Sequence, residues 1–413
     1  MVEFEKFELS NGLQVFVVVD PTHPMAVFNL LYDVGSRDEA ADKTGFAHLF
    51  EHLMFGGSVN IPIYDEPLQA AGGENNAFTN TDITNYYITL PANNLETAFW
   101  LESDRMLSLS FDPKVLEVQQ KVVIEEFNQR YLNQPYGDAM LKLRPLAYTV
   151  HPYMWPTIGK EIAHIQNATM NDVREFFYTH YRPEHATLVV GGNVNSAQVY
   201  KLAEKWFGSI PKGAGRLRNL PQEPTQKEAR KQTATGKVPL NALYKAYHVP
   251  GRNHAHYHAV DLISDLLGRG KSSKLHHHLV KEQRLFNSIN AYVTATEDPG
   301  LLIVEGKLND GVAFERADKA IEQIVGELSQ TKISDRELDK VMNQAESTFV
   351  FSGVEMLNTA MNLAYFHLLG DANRINTEME TLRSTTSDQV LEVAQQYIHP
   401  ENCSTLYYNK TGV

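Results

Sequence analysis

Strict alternation of apolar and polar positions opens the chain. Glu3-Phe4-Glu5-Lys6-Phe7-Glu8-Leu9 leads into Asn11-Gly12, and Leu13 to Val19 leads out, which predicts a tight hairpin. Met25 to Tyr32 is apolar enough for a central strand. The period then lengthens. Leu49, Phe50, Leu53, Met54 and Phe55 recur at helical spacing, with Thr44 or Asp42 placed to cap the start and Gly56-Gly57 to end it. Gly72-Gly73 and the run Thr84 to Leu90 predict a second hairpin with one strand at a sheet edge. Helical spacing returns over residues 94–109. Asp112-Pro113 then opens a longer helix, aspartate as cap and proline in the first turn, that ends in Val122-Val123-Ile124-Glu125-Glu126-Phe127. A helix over 170–180, a buried strand over Ala186–Gly192 and an amphipathic helix from Gln198 to Phe207 complete this half.

Ser209 to Lys237 is rich in proline, glycine and charge and reads as a linker. Beyond it the pattern repeats. Phe111-Asp112-Pro113-Lys114-Val115-Leu116-Glu117 returns as Ile333-Ser334-Asp335-Arg336-Glu337-Leu338-Asp339. Leu49-Phe50-Glu51-His52-Leu53 has a loose counterpart, without histidine, in Leu262-Ile263-Ser264-Asp265-Leu266, and Glu125-Glu126 falls near Ser347-Thr348. The chain therefore reads as α+β, with two related domains at 1–215 and 235–413 and a linker at about 216–234. A length of 413 residues with 43% hydrophobic content allows two full cores.

The chemistry lies on the first predicted helix after the opening strands. His48, Glu51 and His52 stand at i, i+3 and i+4, so they project from one face. Two imidazoles one turn apart can grip a single zinc ion, and the carboxylate between them reaches a water beside it. A third ligand is needed, and one of the acidic pair Glu125-Glu126 is the candidate; neighbours on a helix diverge by about 100°, so only one can face the metal. The alternating histidines 254, 256 and 258 and the run His276-His277-His278 lack a distant carboxylate or the helical spacing of a site. A net charge of −13 argues against nucleic acid as a partner. Cys403 is the one cysteine, so no intrachain disulfide and no thiolate zinc site can form. No apolar run approaches the roughly 18 residues of a membrane span. The charged, alternating start is unlike a signal peptide, and the cytoplasm is the expected compartment.

His48-x-x-Glu51-His52 with a distal Glu126 is the inverted zincin pattern. Together with Gly73, Asn76-Ala77-Phe78-Thr79, Gly191-Gly192-Asn193-Val194, Trp206 to Pro211 and Leu267 to Leu275, it resembles the M16 metallopeptidases, relatives of pitrilysin, insulin-degrading enzyme and the mitochondrial processing peptidases. The likeness covers nearly the whole chain. It implies two domains of the LuxS/MPP-like metallohydrolase type, each a sheet backed by helices, and a clamshell of four such domains built from two chains. It implies zinc, one ion per chain, on His48, His52 and Glu126, with Glu51 as general base in peptide hydrolysis. It also implies that Asn76, Ala77, Phe78 and Thr79 hold the substrate backbone on an edge strand.

Two departures shape the expectation. A further glutamate common in the family, seven positions before the distal ligand, is replaced by Gln119, in reach of the metal ligands rather than the metal. The Arg and Tyr that active relatives carry in the second domain meet Lys281 and Asn287 here; Arg284 and Tyr292 are nearby at a different spacing. The expected role is thus the catalytic chain of a heterodimer whose partner brings the Arg/Tyr pair, a homodimer being the other pairing. The alternative is a non-catalytic core subunit, and retention of all four metal-site residues favours the enzyme.

Overall fold

The computed structural model describes residues 1–413 except 214, 217, 412 and 413, so residue 217 of the predicted linker lies outside the described residues. The first half of the chain forms β1 (Glu5–Glu8), β2 (Gln14–Val19), β3 (Met25–Tyr32), α1 (Phe46–Leu53), α2 (Asp65–Ala70), β4 (Glu74–Thr79), β5 (Thr84–Pro91), α3 (Leu95–Ser108), α4 (Pro113–Phe127), α5 (Ala139–Ala147), α6 (Ile162–Gln166), α7 (Met170–His180), β6 (Ala186–Gly192) and α8 (Ser196–Phe207). The second forms β7 (Arg230–Gly236), β8 (Ala242–Val249), α9 (Tyr257–Gly268), β9 (Phe286–Val293), β10 (Gly300–Leu308), α10 (Phe314–Gln330), α11 (Asp335–Ser352), α12 (Met356–Leu368), α13 (Arg374–Arg383), α14 (Ser387–Tyr397) and β11 (Cys403–Lys410). The fold class is α+β, two sheets with helices on them. Among the described residues no helix is long and apolar enough to cross a membrane.

One unit comprises Met1–Phe127, Trp155–Leu220 and Val350–Thr377. Its sheet runs β1-β2-β6-β3-β5-β4, with β2 and β6 parallel and the other pairs antiparallel. β3 and β6 are apolar along almost their whole length because both of their faces are covered. Phe28 packs on Phe99 of α3 and Phe207 of α8. Its cross-strand partner is Val190, so the neighbouring Gly191 faces the other way, where α12 lies. A Cβ there would stand 2.5 Å from the Met356 sulfur, so glycine lets this helix close on the sheet.

The other unit comprises Asn128–Met154, Pro221–Phe349 and Glu378–Val413. Its sheet runs β7-β11-β8-β10-β9, with β7 and β11 parallel. Position by position this is the order β2-β6-β3-β5-β4, so the repeat read from the sequence reappears as shared topology. One face carries α9, α10 and α14 over Leu266, Ile321 and Val393. The other carries α5, whose Leu143 packs with Tyr244 and Leu406. The segment read as a linker ends in a strand, β7. Its side chains are mostly exposed, and edge strands blunted by polar residues have little of the apolar alternation that marks a strand in sequence.

Buried charge secures the first unit near its edge. Arg105 of α3 is 2% exposed and donates from Nε to Glu102 at 2.8 Å, while the Tyr64 hydroxyl donates to the same carboxylate at 2.5 Å. The guanidinium lies 4.2 Å from the Tyr86 ring, 4.8 Å from Tyr64 and 5.2 Å from Phe55, so it joins β5, α2 and the turn after α1. Arg105→Ala should cost about 3–5 kcal/mol in urea unfolding, because it strands the Glu102 charge in the core. The double change Arg105→Met with Glu102→Gln should recover most of that loss. An alanine effect below about 1 kcal/mol would show that the pair does not hold these elements together.

Candidate metal centre

α1 is built to show its polar stripe. Leu49 and Phe50 are fully buried, and the Phe50 ring stacks on Tyr181 at 5.3 Å, which turns the opposite face of the helix outward. His48, Glu51 and His52 lie on that half-buried face. The two imidazole rings sit 4.8 Å apart and nearly perpendicular.

α4 supplies the third group. Leu116, Val123 and Phe127 bury one side of it, and Glu126 reaches α1. Its Oε2 lies 3.6 Å from Nε2 of His48 and 3.6 Å from Nε2 of His52. Bonds of about 2.0–2.1 Å at tetrahedral angles separate donor atoms by about 3.3–3.4 Å, so the set is spaced to hold one zinc-sized ion. Two neutral imidazoles and one carboxylate also make a chemically suitable donor set. Three donors leave a fourth position open, the arrangement of catalytic rather than structural zinc. Of the acidic pair, then, Glu126 is the residue that meets the histidines.

Thr79 enters this centre as well. β4 alternates, with Asn75, Ala77 and Thr79 half-buried and Asn76 and Phe78 exposed. From the half-buried side Thr79 Oγ1 donates to Glu51 Oε2 at 2.6 Å. Sequence reasoning placed Thr79 on the edge strand and missed this contact. β4 is indeed the outer strand of its sheet, and its Ala77 N–H is taken by the Asn76 side chain at 2.8 Å rather than by β5. Gln119 lies half-buried two turns before Glu126 on α4 and makes no hydrogen bond among the described residues.

The start of α1 is capped by neither Thr44 nor Asp42. Gly45 takes a left-handed conformation (φ 90°), where a Cβ would meet the Ile158 carbonyl oxygen at 2.6 Å. This turn directs Thr44 elsewhere: its Oγ1 lies 2.8 Å from His164 Nδ1 and accepts the Lys160 N–H at 3.0 Å. The cap comes from Glu39, 7% exposed, whose two carboxylate oxygens accept the N–H groups of Gly45 and Ala47, both at 2.9 Å. Burial pushes its carboxyl up while those donors pull the other way. A charged lattice clamps the turn at Ser36–Asp38 that carries Glu39. Arg218 donates to Asp33 and to Asp38 at 2.8 Å each, and Arg37 pairs with Asp82 at 3.1 Å. Arg216 reaches Asp33 at 2.9 Å and Nδ1 of His180 at 2.9 Å. Burial, with the Arg216 and Arg218 guanidiniums, holds His180 down to about 4, so it accepts as a neutral ring.

The second unit handles the equivalent place without histidine. By the repeat, Asp261 and Asp265 on α9 stand where His48 and His52 stand on α1, and Thr348 on α11 where Glu126 stands on α4. Arg269 donates to Asp265 at 2.9 Å and to Thr348 Oγ1 at 2.6 Å, so a guanidinium joins the two helices. Burial and the neighbouring Asp265 raise Asp261 to about 6. The histidine run behaves differently from expectation. It lies on a π-helical stretch, His276–Glu282, in which adjacent residues need not diverge from a common partner. His278 and His277 both meet Glu282, at 2.7 and 3.3 Å.

Glu39→Gln should weaken zinc affinity about tenfold by loosening the N-terminus of α1, read by competition with a fluorescent chelator, with no loss of overall fold. An unchanged affinity would mean that packing of Leu49 and Phe50 alone positions the ligands.

Comparison with known proteins agrees with this geometry. Residues 14–146 match the family described as Insulinase (Peptidase family M16), and residues 167–345 match the Peptidase M16 inactive domain. Zinc protease PqqE of Helicobacter pylori is 30% identical over 98% of this chain and 92% of its own length. Uncharacterized zinc protease YmxG of Bacillus subtilis is 24% identical over 95% of each. The crystal structure of a protease from Helicobacter pylori superposes with a TM-score of 0.93 at 30% identity, covering 100% of both chains. Pitrilysin shares the fold at a TM-score of 0.79 and 20% identity, this chain spanning 45% of it. With a relative at this identity matched end to end, two family domains in the expected order and a zincin ligand set in place, the chain belongs to peptidase family M16.

Proposed function

We propose that this chain is a zinc endopeptidase acting on peptides or small unfolded polypeptides, with one zinc ion on His48, His52 and Glu126. The observation that carries the reading is the 3.6 Å approach of Glu126 to both imidazoles beside a Glu51 carboxylate held by Thr79. Zinc, when bound, supplies a Lewis acid that lowers the pKa of water and polarises a carbonyl. Glu51 takes the proton of the attacking water on its carboxylate and returns it to the leaving amine. The Thr79 hydroxyl, donating to Oε2, keeps that carboxylate oriented while it carries the proton. Asn76, Ala77 and Phe78 lie on the outer edge of β4, where an extended peptide backbone would pair on displacing the Asn76 side chain from the Ala77 N–H. Gln119, two turns before Glu126 on the same helix, adds no charge beside it.

We further infer a heterodimer. Arg284 is exposed, in a left-handed turn (φ 52°), and Lys281 and Asn287 occupy the places where active relatives carry the substrate-binding Arg and Tyr. A second family chain would contribute that pair and complete the chamber. A homodimer is the competing pairing. The single cysteine, Cys403, is buried and fits the cytoplasm. A structural relative, PqqL of Escherichia coli, is described as a periplasmic protease, so cell fractionation is the measurement that decides. One observation favours the scaffold reading, in which the chain is a non-catalytic core subunit: residues 167–345 match a domain described as inactive.

Purified chain should carry zinc near one equivalent by mass spectrometry. Glu51→Gln should keep that zinc and lower peptide hydrolysis by about 10²–10⁴. His52→Ala should lose both. Metal-free protein without peptide hydrolysis would leave the scaffold reading standing, and a Glu51→Gln variant as active as wild type would remove Glu51 from the role of general base. The heterodimer predicts that hydrolysis rises at least tenfold when a partner chain carrying the Arg/Tyr pair is added, by the roughly 1.4 kcal/mol that a tenfold change represents. Equal rates with and without it would remove that part of the proposal.

A further inference from the structure

On its α5 side, the second unit's sheet is incompletely covered. α5 has nine residues and ends its cover over β11 and β8, so the corner formed by β8, β10 and β9 is left open as a cleft of about 370 Å³. Strand register sets what faces into it. Glu305 of β10 is paired with Tyr244 of β8 and Asn290 of β9, so all three project from one face of the sheet, and Tyr292 follows Asn290 by two residues on that same face. Tyr136 forms the wall opposite.

Three features of this cleft are unusual for a plain surface hollow. Glu305 is half-buried yet has no hydrogen bond or close ion pair among the described residues, and burial pushes its carboxyl up while the nearby Lys307 charge pulls the other way. The Tyr244 and Tyr292 hydroxyls are likewise without hydrogen bonds among the described residues. Tyr136 sits in the left-handed region (φ 63°), a costly backbone state for a bulky residue, and its hydroxyl is fixed twice, donating to the Leu240 carbonyl at 2.7 Å and accepting the Leu240 N–H at 3.0 Å. The result is a rigid aromatic wall facing a carboxylate that no hydrogen bond or close ion pair satisfies among the described residues, with only the Lys307 charge acting on it. A cation already uses that wall: the Lys307 ammonium lies 5.0 Å from the centre of the Tyr136 ring. Aromatic faces and a desolvated carboxylate both select positive charge, and a flat guanidinium can stack on one while it donates to the other.

We propose that this cleft is a subsite for an arginine side chain of a peptide, with Glu305 accepting from the guanidinium and the tyrosine rings stacking on it. The inference rests on the peptidase reading for its occupant, a peptide, and it adds a substrate class, basic peptides. A chain with a net charge of −13 would attract such peptides at long range.

The test is titration of the intact chain with acetyl-arginine methylamide and with the citrulline analogue, which keeps the shape and loses the charge. Arginine should bind at least about tenfold more tightly than citrulline. Glu305→Gln should reduce arginine affinity to the citrulline level, and Lys307→Gln, which removes the resident ammonium, should raise it. Equal binding of the two probes by the unaltered chain overturns the proposal without recourse to any variant. So does a Glu305→Gln chain, shown folded by circular dichroism, that binds arginine as the wild type does. No bond is cleaved in this measurement, so loss of the peptidase reading and loss of the subsite are separate results.

Discussion

Two imidazoles and a carboxylate held 3.6 Å apart form a set of donors spaced for one cation. All three are lone-pair donors on half-buried side chains. Much of the first unit serves to keep them there. Phe50 stacked on Tyr181 fixes the rotation of α1, Glu39 fixes its end, and the Asp33, Asp38, Arg216 and Arg218 lattice fixes the turn that carries Glu39. Ligand geometry is thus established by packing and hydrogen bonds independent of the ion, so the ligands need little rearrangement on binding metal.

The second unit meets the same requirement by other means. Arg269, just past the end of α9, bridges Asp265 of α9 and Thr348 of α11, so the cation between these helices is a side chain of the protein itself. A guanidinium carries charge and directional donors, so it satisfies both helices, yet it has no open coordination position at which water could be activated. In this repeat the equivalent place is thus joined without a histidine.

How much of this was readable in the sequence follows from what each feature depends on. The hairpin at Asn11-Gly12, the central strand Met25–Tyr32, the α4 start at Asp112-Pro113 and the cluster His48, Glu51 and His52 all depend on local spacing, and the structure has them. Spacing alone leaves Glu125 and Glu126 open, and the family resemblance points to Glu126, the residue that comes within 3.6 Å of both imidazoles. Strand β7 was hidden because an exposed, parallel edge strand of Arg-Lys-Gln-Thr-Ala-Thr-Gly has neither apolar alternation nor a turn beside it. Glu39 was hidden for a different reason: a cap is sought at the residue next to the helix, and here the left-handed Gly45 passes that role to a carboxylate further back in the chain. The π-helical turn under His277 and His278 was unreadable because its extra residue per turn is set by packing and not by composition.

The shared strand order gives these differences a common logic. In both sheets the last strand in the row, β4 or β9, has one edge unpaired within its own sheet. Interior strands cannot change much, since Phe28, Gly191 and Leu406 are committed to two-sided packing. The open edge and the helix beside it are under less constraint, and there the two units diverge most: Thr79 turned toward Glu51 in one, and Tyr244, Tyr292 and Glu305 around an uncovered corner in the other. An unpaired carboxylate such as Glu305 costs stability, and a fold that needed only a core would have replaced it with an apolar residue, as its neighbours Ile303 and Leu301 on the same face show is tolerated. That cost, at a corner α5 leaves bare, is the physical reason to look for a binding role in the second unit.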